Sequence, residues 1–244
     1  MITFFIGMAF SIAALAFAAL NSHTAISNFV NVEGICIVIG GSFAIFLTAN
    51  RSRVVSSVIR LLWRQVIGAG ARQSREIAQG IINATLSLEK GQRPASTGNE
   101  LLDLGLGWID AGLDEKHIEN LIMEYSNTKL SLMDEATNAV IHLGKYPPAL
   151  GMVGTVFGII GIFSGLGVAG ASETIGPSLA VAMTATLYGL VISNFGIQPL
   201  GELLAQSVDV ESRNMNVCAQ ALKLWHAKEP SFYIKEQMKL YEAA

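Results

Sequence analysis

Apolar residues fill four long runs of the chain, and the charged residues are crowded into the segments that follow the second and the fourth. The runs cover residues 2–20, about 29–49, about 147–169 and about 177–200. Each approaches the roughly 20 residues that a bilayer core requires. After the second run, RSRVVSSVIRLLWRQVIG (51–68) places apolar residues at helical spacing with arginines between them, and Trp63 suits an interfacial depth. A basic helix continuing the second run is expected there. GQRPASTGN (91–99) is a turn cluster. Residues 100–143 read as two or three amphipathic helices, with Gly112 as a break and Asp114 as an N-cap. The tail from 205 continues the fourth run as a helix, breaks at Pro230 and ends in YIKEQMKLYEA.

The pattern predicts an all-α polytopic membrane protein with four transmembrane helices and a helical cytoplasmic domain between spans 2 and 3. Its segments are 1–50 (spans 1 and 2), 51–145 (cytoplasmic domain), 146–204 (spans 3 and 4) and 205–244 (cytoplasmic C-terminal helix).

Composition agrees: 51% of the 244 residues are hydrophobic and 14% charged, against about 25% charged in a soluble domain. A net charge of −3 argues against nucleic acid as a partner. The distribution of charge says more. All 16 Lys and Arg fall between residues 51 and 145 or after 212, and the connections 21–28 and 170–176 contain none. Positive charge marks the cytoplasmic side, which predicts N-in and C-in. Ala16–Phe17–Ala18 resembles a leader cleavage site, yet no basic residue precedes the run, so the run is expected to be kept. Cys36 and Cys218 are expected as free thiols. His23, His117, His142 and His226 show no metal spacing.

The third run carries glycine at 151, 154, 158, 161 and 165, a heptad seam of the smallest residue. The fourth matches it with Ser178, Ala182, Ala185, Gly189, Ser193 and Gly196. Such seams let helices approach closely in lipid. Here Gly151, Gly154, Gly158, Ala182 and Gly189 are expected to face the other run, a partner or a neighbouring subunit. Thr155 and Thr186 each stand one step past a seam position, at Gly154 and Ala185. Either they bond back to their own helix or they line an ion path that also takes in Ala185, with Thr184 a weaker candidate. Ion transport usually needs an ionisable group in the membrane. Glu33, near the outer end of span 2, is the only carboxylate within a run. A transported ion therefore requires a carboxylate from a second membrane protein.

PPALGMVGTVFGIIGIF (147–163) and IGPSLAVAMTATLYGLVISNFGIQPL (175–200) resemble the paired third and fourth membrane helices of MotA/PomA-type flagellar-motor stator subunits. FVNVEGICIVIGGS (29–42), the N-in layout, the long cytoplasmic segment and the closing SFYIKEQMKLY fit as well. The resemblance implies a bacterial inner-membrane subunit that forms a pentameric ring around MotB/PomB-type helices, each bringing an essential aspartate. Ion passage then turns the ring and drives the flagellum, with no cofactor other than the transported Na⁺ or H⁺. It assigns coupling roles to Pro148 and Pro199. Sodium-driven members carry threonine where Thr155 and Thr186 stand, and proton-driven members tend to carry alanine, which favours sodium here. Glu89, Lys90, Arg93, Glu100 and Asp103 are the candidate contacts to the rotor protein FliG, although LEKGQRPASTGNELL departs from the family's charge pattern. Asn31 and Lys145 stand where acidic residues are common in the family.

Two other readings are a TolQ/ExbB-like energiser of an envelope process, typically three spans with N-out, and a self-sufficient channel, which needs the missing intramembrane charge. No nucleophile–base pair, metal cluster or phosphate loop supports an enzyme.

Overall fold

The computed structural model describes residues 2–21, 29–66, 69–92, 94, 96–166 and 171–243. Most of the connection 21–28, the start of 170–176 and the candidate rotor contact Arg93 lie outside the described residues. Regular structure among the described residues is helical: α1 Ile2–Asn21, α2 Val32–Ile35, a π-helical turn Cys36–Gly40, α3 Gly41–Ala49, α4 Ser52–Val66, α5 Ala69–Glu89, α6 Glu100–Asp110, α7 Glu115–Leu143, α8 Tyr146–Gly165, α9 Ala171–Val191, a second π-helical turn Ile192–Ile197, α10 Gln198–His226 and α11 Ser231–Ala243. Stretches long and apolar enough to cross a bilayer occur in three helical segments, Val32–Ala49, Glu115–Gly165 and Ile175–His226, and α1 adds a shorter apolar helix, Ile6–Asn21.

Local chemistry sets the boundaries. Asp114 caps α7 by accepting the His117 N–H at 3.1 Å. Gly112 precedes it at φ +74°, a conformation that costs a glycine little. Asn99 caps α6 through the Leu101 N–H at 2.9 Å. The basic helix does not continue the second run. Asn50 is extended (φ −117°, ψ 139°), and its side-chain amide donates to the Phe46 carbonyl at 2.9 Å, so α3 ends there and α4 starts afresh.

The chain packs as two units, divided within α4, α7 and α10. One comprises Met1–Ile59 and Glu135–Leu203, the other Arg60–Asp134 and Leu204–Ala244. In the first, α8 and α9 lie antiparallel along their small residues, and the second apolar helix packs beside them. Gly34 of α2 meets Ala185, Thr184 and Tyr188, and Gly41 of α3 meets Leu150 of α8. Tyr188 fixes the start of that helix: its hydroxyl accepts the Asn31 N–H at 2.8 Å and donates to the Phe29 carbonyl. Asn31 in turn caps α2 by accepting the Gly34 N–H at 2.8 Å, so its amide has a structural use.

In the second unit, Ile77, Ile81, Leu101, Leu102, Leu106, Ile118, Ile122, Leu222, Trp225, Ile234 and Met238 form one apolar core. Trp225 donates its indole N–H to the Thr85 hydroxyl at 3.0 Å. Glu211 is buried in this unit with Lys129 at 2.8 Å and Arg64 at 3.5 Å. Two cations around it offset the cost of taking a carboxylate out of water.

Candidate functional site at the α8–α9 seam

The glycines of α8 exist for contact with α9. A Cβ on Gly158 would stand 2.5 Å from the Ser178 carbonyl oxygen and 2.6 Å from the Ala182 Cβ. On Gly151 it would meet the Ala185 carbonyl oxygen at 2.9 Å, on Gly161 the Ser178 hydroxyl at 2.7 Å, and on Gly154 the Ala185 methyl itself. From the other side, Gly189 admits the Pro147 carbonyl. Gly151, Gly154, Gly158, Ala182 and Gly189 are all buried in the single chain. Of the alternatives open from the sequence, the other run is the one seen within the chain: the seam is filled by the sibling helix. Larger apolar residues, among them Met152, Val156, Phe157, Ile160 and Phe163, point away from it and are exposed.

This close approach brings Thr155 and Thr186 together. Their hydroxyl oxygens are 2.6 Å apart. Each also reaches the carbonyl four residues back on its own helix, Thr155 to Gly151 at 3.0 Å and Thr186 to Ala182 at 3.2 Å. Each reaches across the seam as well, Thr186 to Gly151 at 3.3 Å and Thr155 to Ala182 at 3.4 Å. The arrangement is reciprocal because both threonines follow a small seam residue on antiparallel helices. Four oxygens thus share two hydroxyl hydrogens, which leaves lone pairs on the cluster unpaired. The threonines back-bond to their own helices, and they also converge across the seam. Ala185, next to Thr186 and fully buried, fills the space over Gly154.

Thr184 is not part of this cluster. Its hydroxyl donates to the Ala180 carbonyl at 2.7 Å and lies against Gly34 on α2. About 200° of helical rotation separates it from Thr186.

The two prolines to which the resemblance gives a coupling role stand in different settings. Pro148 lies in the first turn of α8, where a missing N–H breaks no helical bond, so it starts a helix and does not kink one. Pro199 lies in the first turn of α10, directly after the π-helical turn 192–197. A proline ring crowds the carbonyl four residues back, here that of Phe195. The helix widens, and Gln198 donates to the Ser193 carbonyl five residues back. The widened turn carries Ser193, which is fully buried. Its hydroxyl donates to the Gly144 carbonyl at 2.5 Å, between α7 and α8, and accepts from the Gln198 side chain at 3.2 Å. Sequence reasoning assigned Ser193 only to the seam; Pro199, two residues past the π-helical turn and six past Ser193, was the available signal.

The candidate rotor charges are largely engaged within their own unit. Asp103 accepts from the Ser96 hydroxyl at 2.9 Å and from the Thr97 N–H and hydroxyl at 2.8 Å each. Burial pushes its carboxyl up, but these three donors outweigh burial and hold it below the usual carboxylate range. Glu100 accepts from the Tyr125 hydroxyl at 2.9 Å, and Glu89 pairs with Lys235 at 3.5 Å. Lys90 is exposed on the turn that ends α5.

Apolar helices joined by a small-residue seam, with paired hydroxyls on it, define the class: a helical membrane protein whose third and fourth apolar runs form one tightly packed hairpin. Residues 73–217 match the MotA/TolQ/ExbB proton channel family, and the chain belongs to that family. The family is one of membrane proton channels, not of enzymes. Among characterised relatives, the chemotaxis protein PomA of Vibrio alginolyticus is 26% identical over 215 residues, 85% of this chain and 80% of that protein. Motility protein A of Treponema pallidum is 27% identical over 231 residues, 89% of this chain and 85% of its own length. Two solved structures share the fold. One is MotAB of C. jejuni, with a TM-score of 0.79 and 16% identity over 98% of this chain and 94% of that one. The other is the flagellar MotAB stator complex from Bacillus subtilis, with a TM-score of 0.77 and 18% identity over 97% and 94%.

Proposed function

We propose that this chain is the ion-conducting stator subunit of a flagellar-type rotary motor. It works as a ring, a pentamer by the resemblance, around a MotB/PomB-type partner. Four spans with both termini in the cytoplasm follow from the lysine and arginine distribution. The observation that carries the reading is the Thr155–Thr186 pair at 2.6 Å, set in a seam without an ionisable side chain. Hydroxyl and carbonyl oxygens can replace part of the hydration shell of a metal cation. A transported ion also needs a charge to pair with, which the partner's aspartate supplies.

Sodium is the favoured ion, because the two hydroxyls add oxygen donors that a bare proton path does not require. Loading and unloading the carboxylate changes its energy at a low-dielectric interface by several kcal/mol, enough to bias which subunit it faces. The faces that slide past the partner are the exposed apolar ones, since the glycine seam is closed within the chain. Pro148, Pro199 and the Ser193–Gly144 bond join the hairpin to the helix leading into it, and pass strain at the ion path toward α7.

The test is co-expression with the partner, recording motor output while sodium is replaced by potassium at fixed pH. Loss of output supports the sodium path. Output that persists in potassium and collapses with a protonophore assigns the motor to protons and leaves the threonines as packing residues.

A further inference from the structure

Between Glu33 and Glu76 the chain carries six arginines, at 51, 53, 60, 64, 72 and 75, and no lysine or carboxylate. Four of them lie where the second apolar helix gives way to α4: α3 ends at Ala49, and α4 begins at Ser52. Arg53 and Arg60 are seven residues apart, so one stands above the other on the helix surface. Ile59 and Trp63 form an i, i+4 pair beside that row. These residues share one helix, and the helical repeat alone fixes their alignment.

One side of α4 is used by the protein, with Val58 and Leu61 buried. On the other, Arg51, Arg53, Ser56 and Arg60 are exposed, and so are Ile59 at 54% and Trp63 at 65%. Arg64 pairs with Glu211, whereas no ion pair among the described residues involves Arg51, Arg53 or Arg60. A helix in water gains nothing by holding isoleucine and tryptophan in solvent, and a row of arginines does not belong in hydrocarbon. The boundary between headgroups and acyl chains suits both.

We propose that this face of α4 is a site for anionic phospholipid, taken from the bilayer that the preceding helix enters. Ile59 and Trp63 rest against acyl chains, and Arg53 and Arg60, with Arg51 beside them, hold the headgroup phosphates. Guanidinium is the side chain whose fork matches a phosphate, and all six cations of the stretch are guanidinium. The proposal goes beyond the stator reading and stands on either ion.

The test uses the full chain, wild type and Trp63→Phe, in phosphatidylcholine vesicles. An equal minor fraction of acyl-brominated phosphatidylglycerol or acyl-brominated phosphatidylcholine is added as a contact quencher. The difference between the two proteins isolates Trp63 from Trp108 and Trp225. The Trp63 signal should be quenched at least about twofold more by the anionic lipid, and salt should reduce the preference. The Arg53→Gln/Arg60→Gln variant, altered only at exposed positions, should lose it. Equal quenching by both lipids overturns the site, as does quenching by neither, which would mean that protein covers the face. A preference that survives in the glutamine variant overturns it too. Free phosphate carries no bromine and does not contribute.

Discussion

The hydroxyl of Ser193 donates to the carbonyl oxygen of Gly144 across 2.5 Å, joining the π-helical turn after α9 to the break between α7 and α8. Removing it strands a buried carbonyl, which costs about 1–3 kcal/mol. Ser193→Ala should therefore lower the thermal midpoint of the detergent-solubilised protein, and Ser193→Thr should recover part of it. Pro199→Ala should act on the same bond indirectly, because the chain no longer needs the wide turn. An unchanged midpoint in Ser193→Ala would remove this bond from the account of the hairpin's base.

The threonine pair predicts coupling. Thr155→Ala and Thr186→Ala each leave one hydroxyl with only the Gly151 and Ala182 carbonyls to bond, while the double variant removes both hydroxyls from the shared cluster. Their effects on motor output in sodium should be non-additive, with an interaction of about 0.5–3 kcal/mol by double-mutant cycle. Thr186→Ser keeps the oxygen and should keep sodium dependence. Additive losses would mean that the hydroxyls act separately.

Gly158→Ala tests the seam. Its new methyl would stand 2.5 Å from the Ser178 carbonyl oxygen, a backbone atom that moves only if α9 moves. Overpacking of this kind costs about 1–3 kcal/mol, so the thermal midpoint should fall. Gly107→Ala on α6 is the control, because a methyl there meets nothing within 4 Å and no proline follows it. In a helix, alanine is favoured over glycine by about 1 kcal/mol, and this variant should be neutral or slightly more stable.

The seam also shows where sequence reasoning stops. Glycines spaced 3, 4, 3, 4 state that one face of α8 packs closely, and the structure agrees. Periodicity does not say against what, and the filler is α9 of the same chain. Asp114 and Gly112 were legible as a helix start because capping is local chemistry. The Asn50 break was masked by apolar positions that continue at helical spacing into α4. The charges at 89–103, candidate rotor contacts by the resemblance, give no sign in the sequence of their local partners, and Asp103 bonds its own loop. That contact depends on how a turn closes, not on which residues it contains.

Cys218 carries a prediction in pH. It is 1% exposed, and burial, then the nearby Glu211 charge, push its thiol up to about 12 from its ordinary value of 9.0. Above pH 9 the unfolded chain releases this proton while the folded one keeps it. The unfolded state then binds fewer protons, and stability falls as pH rises toward 12. Tyr125 shifts in the same direction, through burial and then its bond to Glu100. Cys218→Ala should lessen the alkaline loss without abolishing it, read as the slope of denaturant-unfolding free energy against pH. Identical slopes in the two proteins would show that the thiol is already ionised, or freely exchanging, in the folded state. In that case a thiol reagent should label Cys218 at pH 8 without unfolding, whereas a buried thiol should react only once the core of Leu222 and Trp225 opens.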